Sequence, residues 1–249
     1  MYKYKINTAR SKACRRICLL RKGDKPEGLS WYWCFAVVCM LMVVNNAGVV
    51  AQEEATGEAG ISGYMRVDTD ALGTQFWFGA THTLAGLDIG SDIYVTGAAG
   101  EFDIGPSFAV GPASLLPMAG IVFDYETTNV TTLVVPQLFT ILDSGESGLY
   151  FESWIQLFLN SPFDEKGEDS LYTRNFLLYS LSDTISIGPQ VEITVGLGDK
   201  SELINLPIGG RINLGYGKNN TLGIFLGYET QKTDDVDGIT GRMTFVRTW

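Results

Sequence analysis

Cysteine is absent from most of this chain. All four cysteines lie within the first 39 residues, at Cys14, Cys18, Cys34 and Cys39. The remainder therefore holds neither a disulfide nor a thiolate-bound metal, and it can be exported without forming wrong disulfides. Cys14 and Cys18 are a poor metal site as well, because the chain has a single, distant histidine.

Positive charge is scarce outside the N-terminal region. Residues 1–51 carry nine basic and two acidic residues, a net charge of +7, whereas residues 52–249 carry nine basic and 26 acidic residues, a net charge of −17. Phosphate binding requires clustered positive charge, so we expect no nucleic-acid partner. The glycines at positions 196, 198, 209 and 210 lack the strand-to-helix context of a phosphate loop, and we expect no cofactor.

One long apolar run occurs, WYWCFAVVCMLMVV at residues 31–44. It follows a basic region and precedes the small residues Val49 and Ala51, which is the arrangement of a secretory signal peptide. We predict cleavage after Ala51, so that residues 1–51 form a signal with a long basic region and residues 52–60 a short polar lead. The alternative is an uncleaved inner-membrane anchor over residues 31–51.

Beyond this leader, apolar and polar residues alternate with a period of two. In TISIGPQVEITVGL, residues 184–197, isoleucine, valine and leucine occupy one face, and Gln190, Glu192 and Thr194 occupy the other. A helix would need apolar residues at spacings of three and four, so the pattern predicts a strand with one apolar and one polar face.

The same pattern recurs in segments of about ten residues through residues 61–249, which predicts an all-β fold, an antiparallel transmembrane β-barrel. Gly105-Pro106 and Gly188-Pro189 open two similar runs, and we expect their prolines at bulges or at a rim, because proline cannot donate to a ladder. We predict about twelve strands, at residues 61–70, 73–84, 87–96, 101–110, 117–125, 129–142, 148–160, 170–182, 184–197, 203–216, 222–231 and 239–249.

Nearly every charged residue in the middle of these segments falls on the polar face. An arginine or lysine on the lipid face near the bilayer midplane costs about 2 to 4 kcal/mol, so this segregation is what a bilayer imposes. Twelve strands enclose a constricted lumen, in which an acidic excess favours cations over anions. The candidate lumen-lining residues are Arg66, Asp88, Asp92, Asp103, Glu152, Arg174, Glu192, Arg211 and Arg242.

Connection lengths give a second test of the barrel. With the first strand starting on the periplasmic side, the longest polar connections, residues 161–169 and 232–238, fall on the outside. Outer-membrane barrels have short periplasmic turns and long external loops, so the chain has the expected asymmetry.

The last segment, ITGRMTFVRTW, places Met243, Phe245 and Trp249 on one face. It resembles the closing strand of bacterial outer-membrane β-barrel proteins of the porin-like kind, which end in an aromatic residue. The resemblance implies an outer-membrane location, contact with outer-membrane lipid, and recognition of Phe245 and Trp249 by the barrel-assembly machinery. A terminal Trp instead of Phe, and Arg247 in place of an apolar residue, depart from the pattern.

Catalysis has little support in the sequence. The outer-membrane phospholipase, also a twelve-stranded barrel, carries Ser and His on its lipid-facing surface. Here a hairpin register would place His82 opposite residue 88, leaving Ser91 roughly 10 Å away, too far for a nucleophile and its base. The acidic segment 234–238 lacks the ligand spacing of a calcium loop, so we expect neither an enzyme nor a metal site.

We therefore interpret the chain as a barrel that serves as a narrow channel, a small-solute transporter or a structural membrane protein. Two alternatives stay open: a secreted, soluble β-sandwich that binds a ligand, which would show the same alternation, and an outer-membrane enzyme that modifies lipid.

Overall fold

A computed structural model describes residues 62–125, 133–160, 168–198, 200–231 and 238–249. The signal, its cleavage site, the polar lead and the possible anchor lie outside the described residues and stay predictions. No described helix is long and apolar enough to cross a membrane.

The described residues form twelve strands, which we number β1 to β12. Two of them are interrupted at one residue: β4 at Ser107 and β10 at Leu206. The strands are β1 Ser62–Asp70, β2 Gly73–Leu84, β3 Leu87–Val95, β4 Ala99–Pro106 with Phe108–Val110, β5 Ala113–Asp124, β6 Leu133–Asp143, β7 Leu149–Asn160, β8 Ser170–Ser182, β9 Ile185–Gly196, β10 Glu202–Asn205 with Pro207–Tyr216, β11 Asn220–Glu229 and β12 Gly238–Thr248.

The sheet closes on itself. Every strand pairs antiparallel with its neighbours in the chain, and β1 pairs with β12 in a register that sets Tyr64 opposite Thr248 and Thr69 opposite Met243. A closed ring has no free edge, whereas a sandwich consists of two separate sheets with edges. The predicted twelve-stranded barrel is therefore confirmed, and the sandwich alternative is wrong.

Strand positions agree with the sequence prediction except where both faces are apolar. Two strands, β2 and β8, have the predicted bounds. The fifth strand was predicted to begin at Pro117 but begins at Ala113. The prediction missed its first four residues because they show no alternation of apolar and charged side chains. The prediction also missed the interruptions in β4 and β10, because a one-residue irregularity leaves the alternation on each side intact.

The two Gly-Pro pairs lie at irregular points of the sheet, as predicted. Pro106 ends the first segment of β4, and the ladder between β8 and β9 has no pairing at Gly188 and Pro189. A Cβ on Gly188 would lie 1.8 Å from the Leu177 carbonyl oxygen, and one on Gly105 would lie 2.0 Å from the Pro117 carbonyl oxygen. Only glycine allows the neighbouring backbone this close.

The outer face of the barrel is apolar, which gives it the architecture of an outer-membrane barrel. Tyr179, Tyr216 and Trp249 are exposed near one end and Tyr125 and Tyr228 near the other, where aromatic girdles meet the lipid headgroups. Large exposed side chains between them include Phe76, Phe78, Ile93, Phe102, Ile104, Leu138, Ile155, Leu177, Ile187, Ile208, Ile212, Ile224, Leu226 and Met243.

The two ends of the barrel differ in their connections. At one, the short-turn end, strands are joined by residues 85–86, 111–112, 144–148, 183–184 and 217–219. At the opposite, long-loop end the strands are joined by connections of eight or nine residues, 125–132, 161–169 and 230–237, and by three shorter ones. This asymmetry is the one expected from the sequence, with the short-turn end as the periplasmic candidate.

We predict that Gly188→Ala lowers the thermal stability of the barrel. The added methyl group collides with the backbone of β8, so the strands must separate locally. The temperature at which the purified protein loses its fast mobility on an unboiled denaturing gel should fall. Gly210→Ala, on the paired strand β10 with no atom within 4 Å of its Cβ position, is the control and should leave that temperature unchanged. Equal temperatures for both variants would contradict the close approach.

Candidate functional site

The inner face of the barrel holds most of the buried polar side chains. Alternation turns every second residue inward, and side chains from strands that are not sheet neighbours can meet only across the interior. Such contacts join β1 with β7 and β8, and β4 with β6 and β7. The interior is therefore occupied by interacting side chains from facing walls.

A ring of four charges crosses the barrel, and we call it the cross-barrel bridge: Arg66 and Asp68 of β1, Glu152 of β7 and Arg174 of β8. Arg66 donates to Asp68 at 3.1 Å and to Glu152 at 3.3 Å. Arg174 donates to Asp68 at 3.2 Å and lies 3.7 Å from Glu152. Because β1 and β7 lie half a turn apart in the ring of strands, the bridge draws opposite walls together.

Aromatic rings support this bridge. The Arg66 guanidinium lies 5.0 Å from the centre of the Trp77 ring, and the Arg174 guanidinium lies 5.2 Å from that of Trp154. The two indoles meet edge to face at 5.2 Å. Cation–π contacts and the flat ring faces hold both arginines in place without competing for their hydrogen-bond donors.

A second network lies beside the bridge, on the side of β9 to β12. Arg242 donates to Asp70 at 2.8 Å and to Glu192 at 3.1 Å, so that it ties β12 to β1 and β9. Gln190 donates to Glu192 at 2.7 Å and accepts from Arg211 at 3.1 Å. Every charge in this network except Arg211 has a partner of opposite sign.

An acidic cluster lies on the other side of the bridge, formed by Asp92 of β3 with Glu101 and Asp103 of β4. The register pairs Asp92 with Asp103, and the Asp103 carboxyl is within hydrogen-bonding reach of both other carboxyls. The side chains that donate hydrogen bonds to these carboxyls are uncharged: Tyr64 to Asp92 at 3.0 Å, Gln156 to Glu101 at 3.2 Å, and Gln137 to Asp103. No cationic side chain in the described part of the chain forms a salt bridge with them.

The structure brings most of the sequence-predicted lumen residues together. Arg66, Glu152 and Arg174 belong to the cross-barrel bridge, and Asp92 and Asp103 to the acidic cluster. The second network takes Glu192, Arg211 and Arg242. Asp88 stands apart, since it is exposed near the β2–β3 turn and accepts from Thr83 at 2.6 Å.

Sequence reasoning missed Asp68 and Trp77. Asp68 is fully buried and bonds both arginines of the bridge, and Trp77 is 5% exposed and lies between Arg66 and the Tyr94 ring. The parity of Asp68 with Arg66 was a usable signal. Residue type gave no such signal for Trp77, because aromatic residues are expected on the lipid side of a barrel.

His82 and Ser91 do not face each other in the register. His82 pairs with Ile89 and Ser91 with Ala80, one position away from the opposition to residue 88 that the sequence suggested. His82 is exposed on the outer face. Among the described residues, no three His, Cys, Asp or Glu side chains are grouped to hold a metal ion. The acidic segment 234–237 lies outside the described residues.

The closing strand joins the first strand through its last residue. Trp249 exchanges two backbone hydrogen bonds with Gly63, at 3.0 and 3.1 Å, and its exposed indole covers that glycine, where a Cβ would lie 2.8 Å from the ring. Phe245 packs against Tyr216, with ring centres 6.3 Å apart. Both candidate assembly residues thus belong to the seam region between β11, β12 and β1.

The chain matches no protein-family model and no curated protein sequence. Among solved structures it is similar to the KdgM porin, at a TM-score of 0.46 and 12% identity over 76% of this chain and 99% of that one. It is also similar to the NanC porin, at 0.48 and 10% over 76% and 100%, and to an outer membrane channel from Pseudomonas putida F1, at 0.47 and 11% over 81% and 100%. These likenesses concern the porin-like barrel fold alone.

We predict that Glu152→Gln destabilises the barrel. The change leaves Arg66 and Arg174 with one carboxylate between them in a buried position, and removal of one partner from a buried ion pair costs about 3 kcal/mol. The free energy of unfolding in lipid vesicles, followed in urea by tryptophan fluorescence, should fall by that amount. Glu202→Gln, an exposed residue at the long-loop end, is the matched control. An equal midpoint for the two variants would show that the bridge does not hold the walls.

Proposed function

We propose that this barrel is a narrow channel for small solutes across the outer membrane, with a preference for cations. The observation that carries the proposal is the polar interior of the barrel, which the cross-barrel bridge spans with side chains only. A polar inner face within an apolar outer face is the arrangement of a water-filled path through a bilayer.

The bridge sets the size of the solute. Hydrogen bonds of about 3.2 Å between facing walls leave no central opening at the level of Arg66 and Asp68. In the proposed channel, passage takes place beside the bridge, and this limits the solutes to ions and small molecules. A solute as large as a folded peptide is excluded.

Charge on either side of the bridge sets the selectivity. The acidic cluster has no basic partner among the described residues, whereas the arginines of the other side are mostly paired with carboxylates. Rings or patches of Asp and Glu favour cations in membrane channels. The acidic cluster is therefore the selective wall of the proposed path.

Lipid and the assembly machinery are the proposed partners. The apolar outer face requires a lipid environment. The position of Phe245 and Trp249 beside the seam suits a role in the closing step, in which the barrel-assembly machinery reads the last strand. Export by a signal cleaved after Ala51 completes this proposal.

A purely structural role is the second candidate, because the same bridge braces facing walls against each other. Conductance distinguishes the two. We predict that the unaltered barrel produces small channel events in a planar lipid bilayer, and that Arg66→Ala combined with Glu152→Ala raises conductance about twofold or more, because the narrowest cross-section limits ion flow.

The control for that experiment is Asp183→Ala combined with Arg247→Ala. It removes the same pair of charges at exposed positions near the short-turn end and should leave the conductance unchanged. An absence of channel events for both the unaltered and the Arg66/Glu152 protein, with the heat-dependent gel shift intact, would replace the channel with the structural role.

We also predict that neutralising the acidic cluster removes the cation preference. Asp92→Asn, Glu101→Gln and Asp103→Asn together keep the shapes of the side chains and delete their charge. In a potassium chloride gradient, the reversal potential of the unaltered barrel should lie toward the potassium equilibrium potential. In the triple variant it should move toward zero. An unchanged reversal potential would place the selective wall elsewhere in the barrel.

A further inference from the structure

A cavity of about 250 Å³ lies inside the barrel on the short-turn side of the cross-barrel bridge. Residues near the short-turn ends of several strands line it, among them Thr81, Leu116 and Thr248, and Arg66 and Glu152 of the bridge form part of its wall. The volume is close to that of pockets which enclose small organic ligands.

The wall of this cavity is mainly apolar and aromatic. Trp77 and Trp154 present their rings to it, and Phe139 and Met118 complete its apolar side. Such a wall is a poor surface for water, because apolar rings offer it few hydrogen-bond partners. A small molecule with an apolar or aromatic surface would bind here favourably, because that surface would be removed from water.

One acidic group stands in this wall. Asp92 lines the cavity, and one of its oxygens accepts a hydrogen bond from the Tyr64 hydroxyl at 3.0 Å. Behind it lie Asp103 and Glu101. Asp103 is within hydrogen-bonding reach of both Asp92 and Glu101, and no described basic side chain forms a salt bridge with the three carboxyls. Arg66 of the bridge also lines the cavity, but it already bonds two carboxylates. The field in the cavity therefore favours a positive ligand.

From this combination we infer that the cavity binds a small organic cation, an ammonium group carried on an apolar or aromatic body. The ammonium group approaches the Asp92 carboxylate, and the body lies against the indoles of Trp77 and Trp154, whose ring faces attract positive charge. The site shares Asp92 with the proposed conduction path, but binding does not depend on conduction, since it needs only the cavity and a route from the short-turn end. It can exist in a barrel that conducts no ions.

The test is a fluorescence titration of the full protein in detergent with three probes of similar size: phenethylammonium, the neutral 2-phenylethanol and the anionic 3-phenylpropionate. Trp77 and Trp154 report on the cavity by their emission. Saturable binding of phenethylammonium is expected, with at least about tenfold weaker binding of the other two, because a single charge-assisted contact accounts for such a ratio.

Two variants locate the site. Asp92→Asn should weaken phenethylammonium binding about tenfold, whereas Asp183→Asn, exposed in a short turn, should not change it. Met118→Trp fills the cavity without altering charge and should abolish binding. The heat-dependent gel shift shows whether each variant is folded, and if Asp92→Asn is not, Met118→Trp and the three-probe comparison decide.

Equal affinity for the neutral or the anionic probe would overturn the inference, and so would undiminished binding in folded Met118→Trp. Failure of the channel proposal gives a different result, namely no conductance with cation binding retained. The two proposals therefore fail independently.

Discussion

Unpaired peptide groups are not tolerated in hydrocarbon, and this constraint governs the whole described structure. Each backbone donor and acceptor in the bilayer must bond within the protein, and strands achieve this only when the sheet has no edge. The pairing of β1 with β12 supplies that closure, and Gly63 and Trp249 complete it with two backbone hydrogen bonds. Once the ring is closed, alternation assigns every side chain to lipid or to the interior.

The interior is subject to a second constraint, because the charged side chains that are unfavourable in lipid face inward. Burial of a lone charge is costly, and pairing offsets the cost only with good geometry and further hydrogen bonds. Arg242 is paired with two carboxylates, and Asp68 is paired with two arginines through one of its oxygens. The acidic cluster lacks such pairing with described side chains, which sets this region apart from the rest of the inner face.

The sequence predicted the strands and their faces because both follow from local alternation. It placed Arg66, Glu152 and Arg174 on the inner face by the same argument. It could not predict that these three meet, because a contact across the lumen depends on the curvature and stagger of strands far apart in the chain. The inward Trp77 was missed for a related reason, since residue type alone points an indole toward lipid. The interruptions at Ser107 and Leu206 escape detection because the alternation continues on both sides of each.

The partners in the cross-barrel bridge are far apart along the chain, 86 residues for Arg66 with Glu152 and 106 for Arg174 with Asp68. Contacts of such sequence separation form late, after the loops between them have been closed by nearer pairings. Until β8 is in place, the other charges of the cross-barrel bridge lack Arg174 as a partner. These incompletely paired charges lower the stability of a partly assembled sheet. We therefore expect the hairpins to form first, the opposite walls to approach next, and the cross-barrel bridge to form last during insertion.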